Sequence, residues 1–185
     1  VMSGLVDQLL YALNVKVVGS TALKVQRLQL ELKMRKPGWW KHEHLNPPFL
    51  TSPWLKELIS RHYMVGQHAN RARKVAWVTS GAPIEFLKAL DYFLVYPENH
   101  GAVCGIKRVG DRQCERAEEA GYSRDICPYA RTDFGTILSG APPVGRPPRP
   151  DLVPCCTNIC QSSPYRTQVL VPHFHRPLQP IAPPL

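Results

Sequence analysis

Apolar residues recur at helical spacing in two parts of the N-terminal half. Residues 1–36 place Leu, Val and Met three or four positions apart, most clearly in LKVQRLQLELKMRK, which predicts one or two amphipathic helices. Residues 54–73 repeat this spacing, and Ser52 followed by Pro53 is typical of a helix start. We therefore expect residues 1–52 to form an N-terminal helical segment followed by a loop.

A different pattern begins at KVAWVTSGAP. Val75, Trp77 and Val78 form a short apolar run that ends in a Ser-Gly turn, and Pro83 opens the helical stretch PIEFLKALD. YFLVYP then has the composition of a second strand. The order strand, helix, strand predicts an α/β fold with a Rossmann-like parallel sheet and flanking helices. Functional groups gather at the carboxyl ends of such strands, which here are TSGAP and YPENHGAVCG.

Two short helices and one strand are predicted further along. CERAEEAGY ends at Gly121, a residue that tolerates the left-handed backbone of a helix end. SRDICPYARTDFGTILSG has Ser123 or Asp125 as candidate N-cap, Pro128 in the first turn and Gly140 beyond the last turn. DLVPCC reads as a short buried strand.

Proline usage separates the last part of the chain from the rest. Of the 19 prolines, 12 lie from Pro142 to Pro184. Because proline donates no backbone hydrogen bond and breaks helices, such a segment cannot sustain a helix or a central strand. We expect residues 53–161 to form the α/β domain and residues 162–185 to form an irregular proline-rich tail.

The formal charge of +9 does not by itself indicate nucleic-acid binding. The stretch 97–141 carries −1 and contains three of the six cysteines, and neither a basic stripe with interleaved aromatics nor zinc-finger spacing is present. No run of about 18 apolar residues predicts a membrane span, and the chain start, with Asp7 and no basic region, does not resemble a secretory signal. We expect a cytoplasmic protein that binds neither nucleic acid nor membrane, with reduced thiols available as ligands or nucleophiles.

The cysteines are the first candidates for chemistry. Cys127 lies at a predicted helix start, where unpaired amides favour a thiolate ligand; the alternative is a small buried apolar residue. Cys156 and Cys160 form a C-x3-C pair at a strand end, a spacing too general to specify a metal. A zinc site usually has two close pairs, which Cys104 and Cys114 do not supply, so the pattern favours an iron–sulfur cluster over zinc.

His100 is the second candidate. It stands beside Glu98 at the predicted end of a strand, which is consistent with a proton donor or a substrate-orienting group. The alternative is a turn histidine bonded to backbone, and the sequence leaves both open. No phosphate-binding G-x-x-x-x-G-K-[ST] loop and no G-x-S-x-G nucleophile motif occurs.

Three motifs together carry a resemblance that spacing does not. VYPENHGAVCG, GYSRDICPYARTDFG and PDLVPCCTNICQ resemble the benzoyl-CoA reductase and 2-hydroxyacyl-CoA dehydratase family, and the similarity covers roughly residues 53–161. It implies a Rossmann-like subunit paired with a homologous catalytic subunit and carrying a [4Fe-4S] cluster held by three cysteines. It also implies a separate ATP-hydrolysing iron–sulfur activator, a ferredoxin-type electron donor and an acyl-CoA substrate.

The resemblance also assigns residues. Cys127 matches the first cluster ligand and Cys160 the second, with Cys156 as the rival for that place. His100 and Glu98 belong to the matching PENH segment and are the candidate catalytic pair. The third cysteine ligand of the family is not found in this chain, so we expect a truncated chain that corresponds to the N-terminal half of a two-subdomain protein.

The function expected from this resemblance is that of an oxidoreductase subunit acting in a heteromer. The motifs favour the benzoyl-CoA reductase type, in which low-potential electrons pass through the cluster to an aromatic acyl-CoA in anaerobic aromatic degradation. The first alternative is a 2-hydroxyacyl-CoA dehydratase subunit. A non-catalytic partner subunit and a structural zinc module are the alternatives from other classes.

Overall fold

The structure is a computed structural model that forms two compact units, Val1–Ala72 and Arg73–Leu185. It describes residues 4–36, 49–79, 81–140, 142, 145, 147–156, 165, 168–169, 172 and 178–181, with residues 155–156 and 178–181 described by their backbone. None of the helices in these ranges has the length and apolar composition needed to cross a bilayer.

The first unit is helical, as the apolar spacing predicts. Its elements are α1 (Leu5–Ala12), a π-helix (Leu13–Gly19), α2 (Ser20–Met34) and α3 (Ser52–Ala69). The predicted start of α3 is confirmed, with Pro53 in its first turn. Gly19 allows close packing on α3, because a Cβ there would lie 2.0 Å from the Met64 Sδ.

An ion-pair network joins α2 to α3 within this unit. Arg27 Nε lies 2.7 Å from Glu57 Oε2, and Arg61 Nη2 donates to Glu57 Oε1 at 2.8 Å. The Arg27 guanidinium also stacks 3.6 Å from the ring centre of Trp54. The structure thus groups α3 with the preceding helices, whereas the sequence assigned it to the α/β domain. The predicted domain limits, 1–52, 53–161 and 162–185, stay predictions.

The second unit contains the predicted strand–helix–strand sequence. Strand β1 (Val75–Trp77) is followed by α4 (Ile84–Ala89) and β2 (Phe93–Val95). The two strands are parallel. Ala76 of β1 and Leu94 of β2 form a hydrophobic core with Val78 and Leu87. These residues are fully or almost fully buried, which explains why the strand sequences are continuously apolar.

Two further strands are also parallel. Strand β3 (Val153–Cys156), predicted from DLVPCC, pairs with β4 (Leu178–Ile181). Leu152 connects this pair to β1, since the Trp77 N–H donates to the Leu152 carbonyl at 3.0 Å. The described residues are therefore mostly helical with small parallel sheets, which is consistent with the predicted α/β class. Strand β4 lies in the segment 162–185 that was expected to be irregular, so that expectation is wrong for residues 178–181.

Three helices cover the region after β2. They are α5 (Pro97–Ile106), α6 (Gly110–Glu119) and α7 (Pro128–Ser139). The predicted glycine ends are confirmed, with positive φ of 94° at Gly121 after α6 and 60° at Gly140 after α7. Helix α5 covers the segment PENHGAVCG, which the sequence analysis identified only as following the carboxyl end of a strand.

Two glycines set the spacing of these helices. A Cβ at Gly135 in α7 would lie 1.9 Å from the Gln113 carbonyl oxygen of α6, and a Cβ at Gly101 in α5 would lie 2.8 Å from Cδ1 of Tyr129 in α7. Because backbone cannot move aside as a flexible side chain can, the contact at Gly135 is the stricter of the two.

Gly135→Ala should therefore destabilise the protein. Overpacking against a backbone carbonyl is expected to lower the free energy of unfolding by about 1–3 kcal/mol. Gly105→Ala is the matched control, because it lies in a helix with no atom within 4 Å of the added Cβ. That change should be neutral or stabilise by up to about 1 kcal/mol. Urea denaturation of both variants measures the difference, and equal unfolding free energies would contradict the close approach of α6 and α7.

Candidate functional site

The candidate residue His100 lies in the first turn of α5, shortly after β2. Pro97 begins the helix, and the backbone N–H groups of Asn99 and His100 donate to the Tyr96 carbonyl at 3.0 and 3.2 Å. The side chain is only 5% exposed. His100 therefore stands where the carboxyl end of a parallel strand feeds a helix, the position in α/β sheets at which ligands usually bind.

Both ring nitrogens of His100 face polar groups of the protein. Nδ1 lies 3.3 Å from Asp133 Oδ1 on α7, and Nε2 lies 3.7 Å from Cys104 Sγ one turn further along α5. Asp133 and Cys104 are 4% and 0% exposed. The three side chains form a buried Cys104–His100–Asp133 cluster. This contact pattern replaces the turn histidine bonded to backbone, which was the alternative from sequence.

The cluster changes the protonation of His100. Burial alone lowers the pKa of the imidazole, but the hydrogen bonds and charges of Asp133 and Cys104 outweigh it and raise the pKa from 6.5 to about 9. The ring is therefore protonated at neutral pH, and both nitrogens act as donors. Nδ1–H is held by a carboxylate, whereas the long contact to sulfur leaves Nε2–H the more weakly held proton.

A small cavity adjoins the cluster. His100 and Asp133 line it together with Trp77, Val95 and Thr136; Pro97, Ile137 and Pro147 complete its wall. Its volume of about 10 Å³ has room for about one water molecule. In the part of the chain that the structure describes, this cavity beside His100 is mostly apolar and is too small for an acyl-CoA.

Glu98 and Cys127 are the other two candidates whose side chains the structure describes. Glu98 lies in the first turn of α5, two residues before His100, and is half-buried. Cys127 is half-buried and is the N-cap of α7, with Pro128 in the first turn. The predicted position of Cys127 at a helix start is confirmed, and the predicted caps, Ser123 and Asp125, are wrong.

Pro128 explains this correction. The residue before a proline is sterically excluded from the helical region, so Cys127 takes ψ 129° and the helix begins at Pro128. Ser123 and Asp125 instead bond to each other in the preceding loop, where the Asp125 N–H donates to Ser123 Oγ at 3.2 Å. The thiol of Cys127 is thereby set at the positive end of a 12-residue helix.

The remaining cluster candidates are described in part. Cys156 is the last residue of β3 and is described by its backbone, and Cys160 lies outside the described residues. The choice between them as second ligand, and their approach to Cys127, therefore stay predictions. Among the residues that the structure describes, no group of three histidine, cysteine or acidic side chains has the geometry of a metal site.

Sequence analysis missed Cys104 and Asp133 as partners of His100. The i, i+4 spacing of His100 and Cys104 in HGAVC would have placed them on one helix face, had the helix been recognised from Pro97 and Glu98 at its start. Asp133 has no such local pattern. It reaches His100 because α7 packs closely on α5 where Gly101 meets Tyr129.

Asp133→Asn should remove most of the pH dependence that His100 contributes. The pKa of His100 is higher in the folded protein than in the unfolded chain. The stabilisation of the fold by protonated His100 is therefore complete below pH 6.5 and is lost as pH rises to about 9. The wild-type free energy of unfolding should fall across this window by up to about 3 kcal/mol. Urea denaturation at pH 6, 7.5 and 9 should give a flatter profile for Asp133→Asn than for the control Glu115→Gln, an exposed carboxylate on α6. Equal profiles for the two variants would contradict the pair.

Comparison with known proteins adds the family. The model of "2-hydroxyglutaryl-CoA dehydratase, D-component" matches residues 79–179, which include α4, the His100 cluster and Cys127. The chain is 38% identical over 107 residues to the (R)-2-hydroxyisocaproyl-CoA dehydratase alpha subunit of Clostridioides difficile, a match that covers 57% of this chain and 26% of the relative. It is 39% identical over 116 residues to the (R)-phenyllactyl-CoA dehydratase alpha subunit of Clostridium sporogenes, covering 57% and 28%.

A benzoyl-CoA reductase also matches, at lower identity. One subunit of the benzoyl-CoA reductase of Thauera aromatica is 28% identical over 102 residues, covering 53% of this chain and 24% of the relative. The matches thus favour the dehydratase alternative over the benzoyl-CoA reductase interpretation that the motifs alone favoured. In each case the chain spans about a quarter of the relative's length. Because the family model matches more than half of the chain, the protein belongs to the 2-hydroxyglutaryl-CoA dehydratase D-component family.

Proposed function

We propose that this chain is part of a subunit of a 2-hydroxyacyl-CoA dehydratase-type enzyme. The observation that carries the proposal is the family match over residues 79–179, supported by two dehydratase alpha subunits at 38% and 39% identity. The reaction would remove the hydroxyl from carbon 2 and a proton from carbon 3 of the acyl chain, giving a 2-enoyl-CoA and water. It has no net redox change, so an electron supplied to start the reaction is returned.

The proposed cofactor is a [4Fe-4S] cluster, with Cys127 as first ligand and Cys160, or its rival Cys156, as second. The described position of Cys127 is consistent with this proposal, since its half-buried thiol lies at the start of α7 and forms no disulfide. Such a cluster, with one iron free of cysteine, would supply single electrons and a Lewis-acidic site for the thioester carbonyl. The third cysteine would come from outside this chain.

His100 and Glu98 are proposed as the polar groups that serve the substrate. His100 holds two protons between Asp133 and Cys104, and Nε2–H, with its long contact to sulfur, is the one available for transfer. Asp133 keeps the ring oriented and charged, which a general acid at neutral pH requires. Glu98, two residues earlier on the same helix, would orient the substrate or exchange protons with solvent.

The proposed architecture is a Rossmann-like sheet that is larger than either strand pair. Its support is that β1, β2, β3 and β4 are all parallel to their partners and that Leu152 bonds to β1 beside β3. The carboxyl end of β2 leads to His100 and β3 ends at Cys156, so a common sheet would bring the candidate residues to one edge.

The proposed partners follow from the same family. Two relatives are named alpha subunits, which supports a second, homologous subunit, and the proposal adds an ATP-hydrolysing iron–sulfur activator with a ferredoxin-type donor. Within this chain, the sequence contains no phosphate-binding loop of its own, in keeping with ATP hydrolysis on another polypeptide.

A benzoyl-CoA reductase-type function is the second candidate. The match to the Thauera aromatica benzoyl-CoA reductase favours it, and that activity would make the protein an oxidoreductase. The two candidates predict different substrates for the same set of residues, so a substrate assay separates them.

The substrate assay uses the chain with its partner subunit, activator, ATP and reductant under anaerobic conditions. We expect conversion of a 2-hydroxyacyl-CoA to the 2-enoyl-CoA, followed by liquid chromatography, and no loss of benzoyl-CoA. Consumption of benzoyl-CoA with net use of reductant would overturn the dehydratase proposal in favour of the reductase.

Iron binding is tested on the same assembled complex as the substrate assay, because the third cysteine would come from outside this chain. After anaerobic reconstitution with iron and sulfide, Cys127→Ser should lose most of the bound iron, because serine is a poor ligand for an iron–sulfur cluster. Cys114→Ser is the control, since this half-buried thiol contacts the Pro128 carbonyl and Thr132 rather than a proposed ligand. Stoichiometric zinc without iron, or equal iron in both variants, would contradict the proposed ligand.

A further inference from the structure

The loop that presents Cys127 runs from Gly121 to Cys127 between α6 and α7. Its first half is held by backbone bonds, from Gly121 N–H to the Glu118 carbonyl at 2.9 Å and from Tyr122 N–H to the Ala117 carbonyl at 3.0 Å. The Tyr122 ring also packs on Phe134, with ring centres 4.8 Å apart. These contacts fix the start of the loop but do not reach Cys127.

The second half of the loop has bonds of its own, from the Ile126 N–H to the Ser123 carbonyl and from the Asp125 N–H to Ser123 Oγ, both at 3.2 Å, and one side chain ties it to the helices. Arg131, on the first turns of α7, donates from Nε to the Ile126 carbonyl at 2.9 Å and pairs through Nη1 with Glu118 Oε1 on α6. The Arg131 side chain is 14% exposed and the Glu118 side chain 22%, so water screens their interaction little. Arg124 also reaches Glu118, at 3.1 Å, but its side chain is 85% exposed.

Arg131 contacts both peptide groups that flank the Cys127 Cα. Its guanidinium bonds the Ile126 carbonyl on one side, and its own backbone N–H donates to the Cys127 carbonyl at 3.0 Å on the other. Because the two peptide planes determine the direction of the Cα–Cβ bond between them, these two bonds orient the bond from which the Cys127 thiol extends.

We propose that Arg131 is a positioning residue for Cys127, and that Glu118 holds Arg131 in place for this task. The inference rests on the proposed function only in taking Cys127 as a ligand. A planar guanidinium suits the role, since Nε can bond a carbonyl while the terminal nitrogen bonds a carboxylate in a fixed geometry. A lysine has one ammonium on a flexible stem and can replace the charge but not this pair of directions.

The test uses the full chain without iron and three variants. Arg131→Gln removes the guanidinium, Arg131→Lys keeps the charge, and Arg124→Gln removes the exposed partner of Glu118 as the control. Hydrogen exchange of residues 122–127 measures loop order. The rate at which Cys127 is alkylated, resolved by peptide mass spectrometry, measures how the thiol is presented. Cys104, which is fully buried, reports global unfolding in the same samples, and Cys114 reports changes in α6.

In Arg131→Gln we expect the loop amides to exchange about tenfold faster, the effect of losing one hydrogen bond to a charged group, and Cys127 to alkylate faster relative to Cys114. Arg124→Gln should match the wild type. The melting temperature should be lower in Arg131→Gln, which loses the ion pair with Glu118, and should return towards wild type in Arg131→Lys. Loop exchange and Cys127 alkylation should stay faster than in the wild type in both variants.

Two results would overturn the inference. One is wild-type loop exchange and Cys127 alkylation in Arg131→Gln. The other is full recovery of both in Arg131→Lys, which would make Arg131 only the charge partner of Glu118. If Arg131→Gln alkylates at Cys104 and is therefore unfolded, Arg131→Lys alone decides. Equal iron in the complexes of wild type and Cys127→Ser, while these variants behave as expected, would refute Cys127 as a cluster ligand and leave the positioning role of Arg131 intact.

Discussion

The close approach of α7 to its two neighbouring helices is the constraint on which the rest of the second unit depends. Gly135 allows α7 to reach the backbone of α6, and Gly101 allows α5 to pack on Tyr129 of α7. Helix α7 carries both Asp133, which charges His100, and Arg131, which holds the loop before Cys127. A single helix position therefore determines the geometry of both candidate groups, and a change in its packing would disturb them together.

The sequence predicted the elements whose determinants are local. The parallel pair β1 and β2, the crossover helix after Pro83 and the helix ends at Gly121 and Gly140 all follow from residues within a few positions of the feature. Cys127 was correctly placed at a helix start. The N-cap of α7 was predicted at Ser123 or Asp125, residues that commonly cap helices, but Pro128 sterically excludes the preceding residue from the helix and makes Cys127 the cap. Helix α5 was not predicted, and two of its residues, Gly101 and Gly105, have a low helix propensity.

The partners of His100 could not be predicted in the same way. Cys104 lies one helical turn away, so it was within reach of a pattern once the helix was known. Asp133 is 33 positions away and comes close only through the packing of two helices that glycine makes possible. Such contacts depend on which faces of separate elements meet, and a single sequence without its three-dimensional packing contains no period or spacing that specifies them. The family motifs indicated that the segments belong together but not which atoms touch.

The two candidate residues, His100 and Cys127, differ in how far the protein encloses them. His100 is enclosed, with a carboxylate on one nitrogen and a thiol on the other, so its proton is retained at neutral pH. Cys127 is half-buried and lies at the start of α7, as the N-cap of the helix. His100 is thus enclosed by other side chains, whereas the Cys127 thiol is partly accessible. Residues of α7 take part in both environments, because Asp133 contacts the imidazole of His100 and the helix begins directly after Cys127.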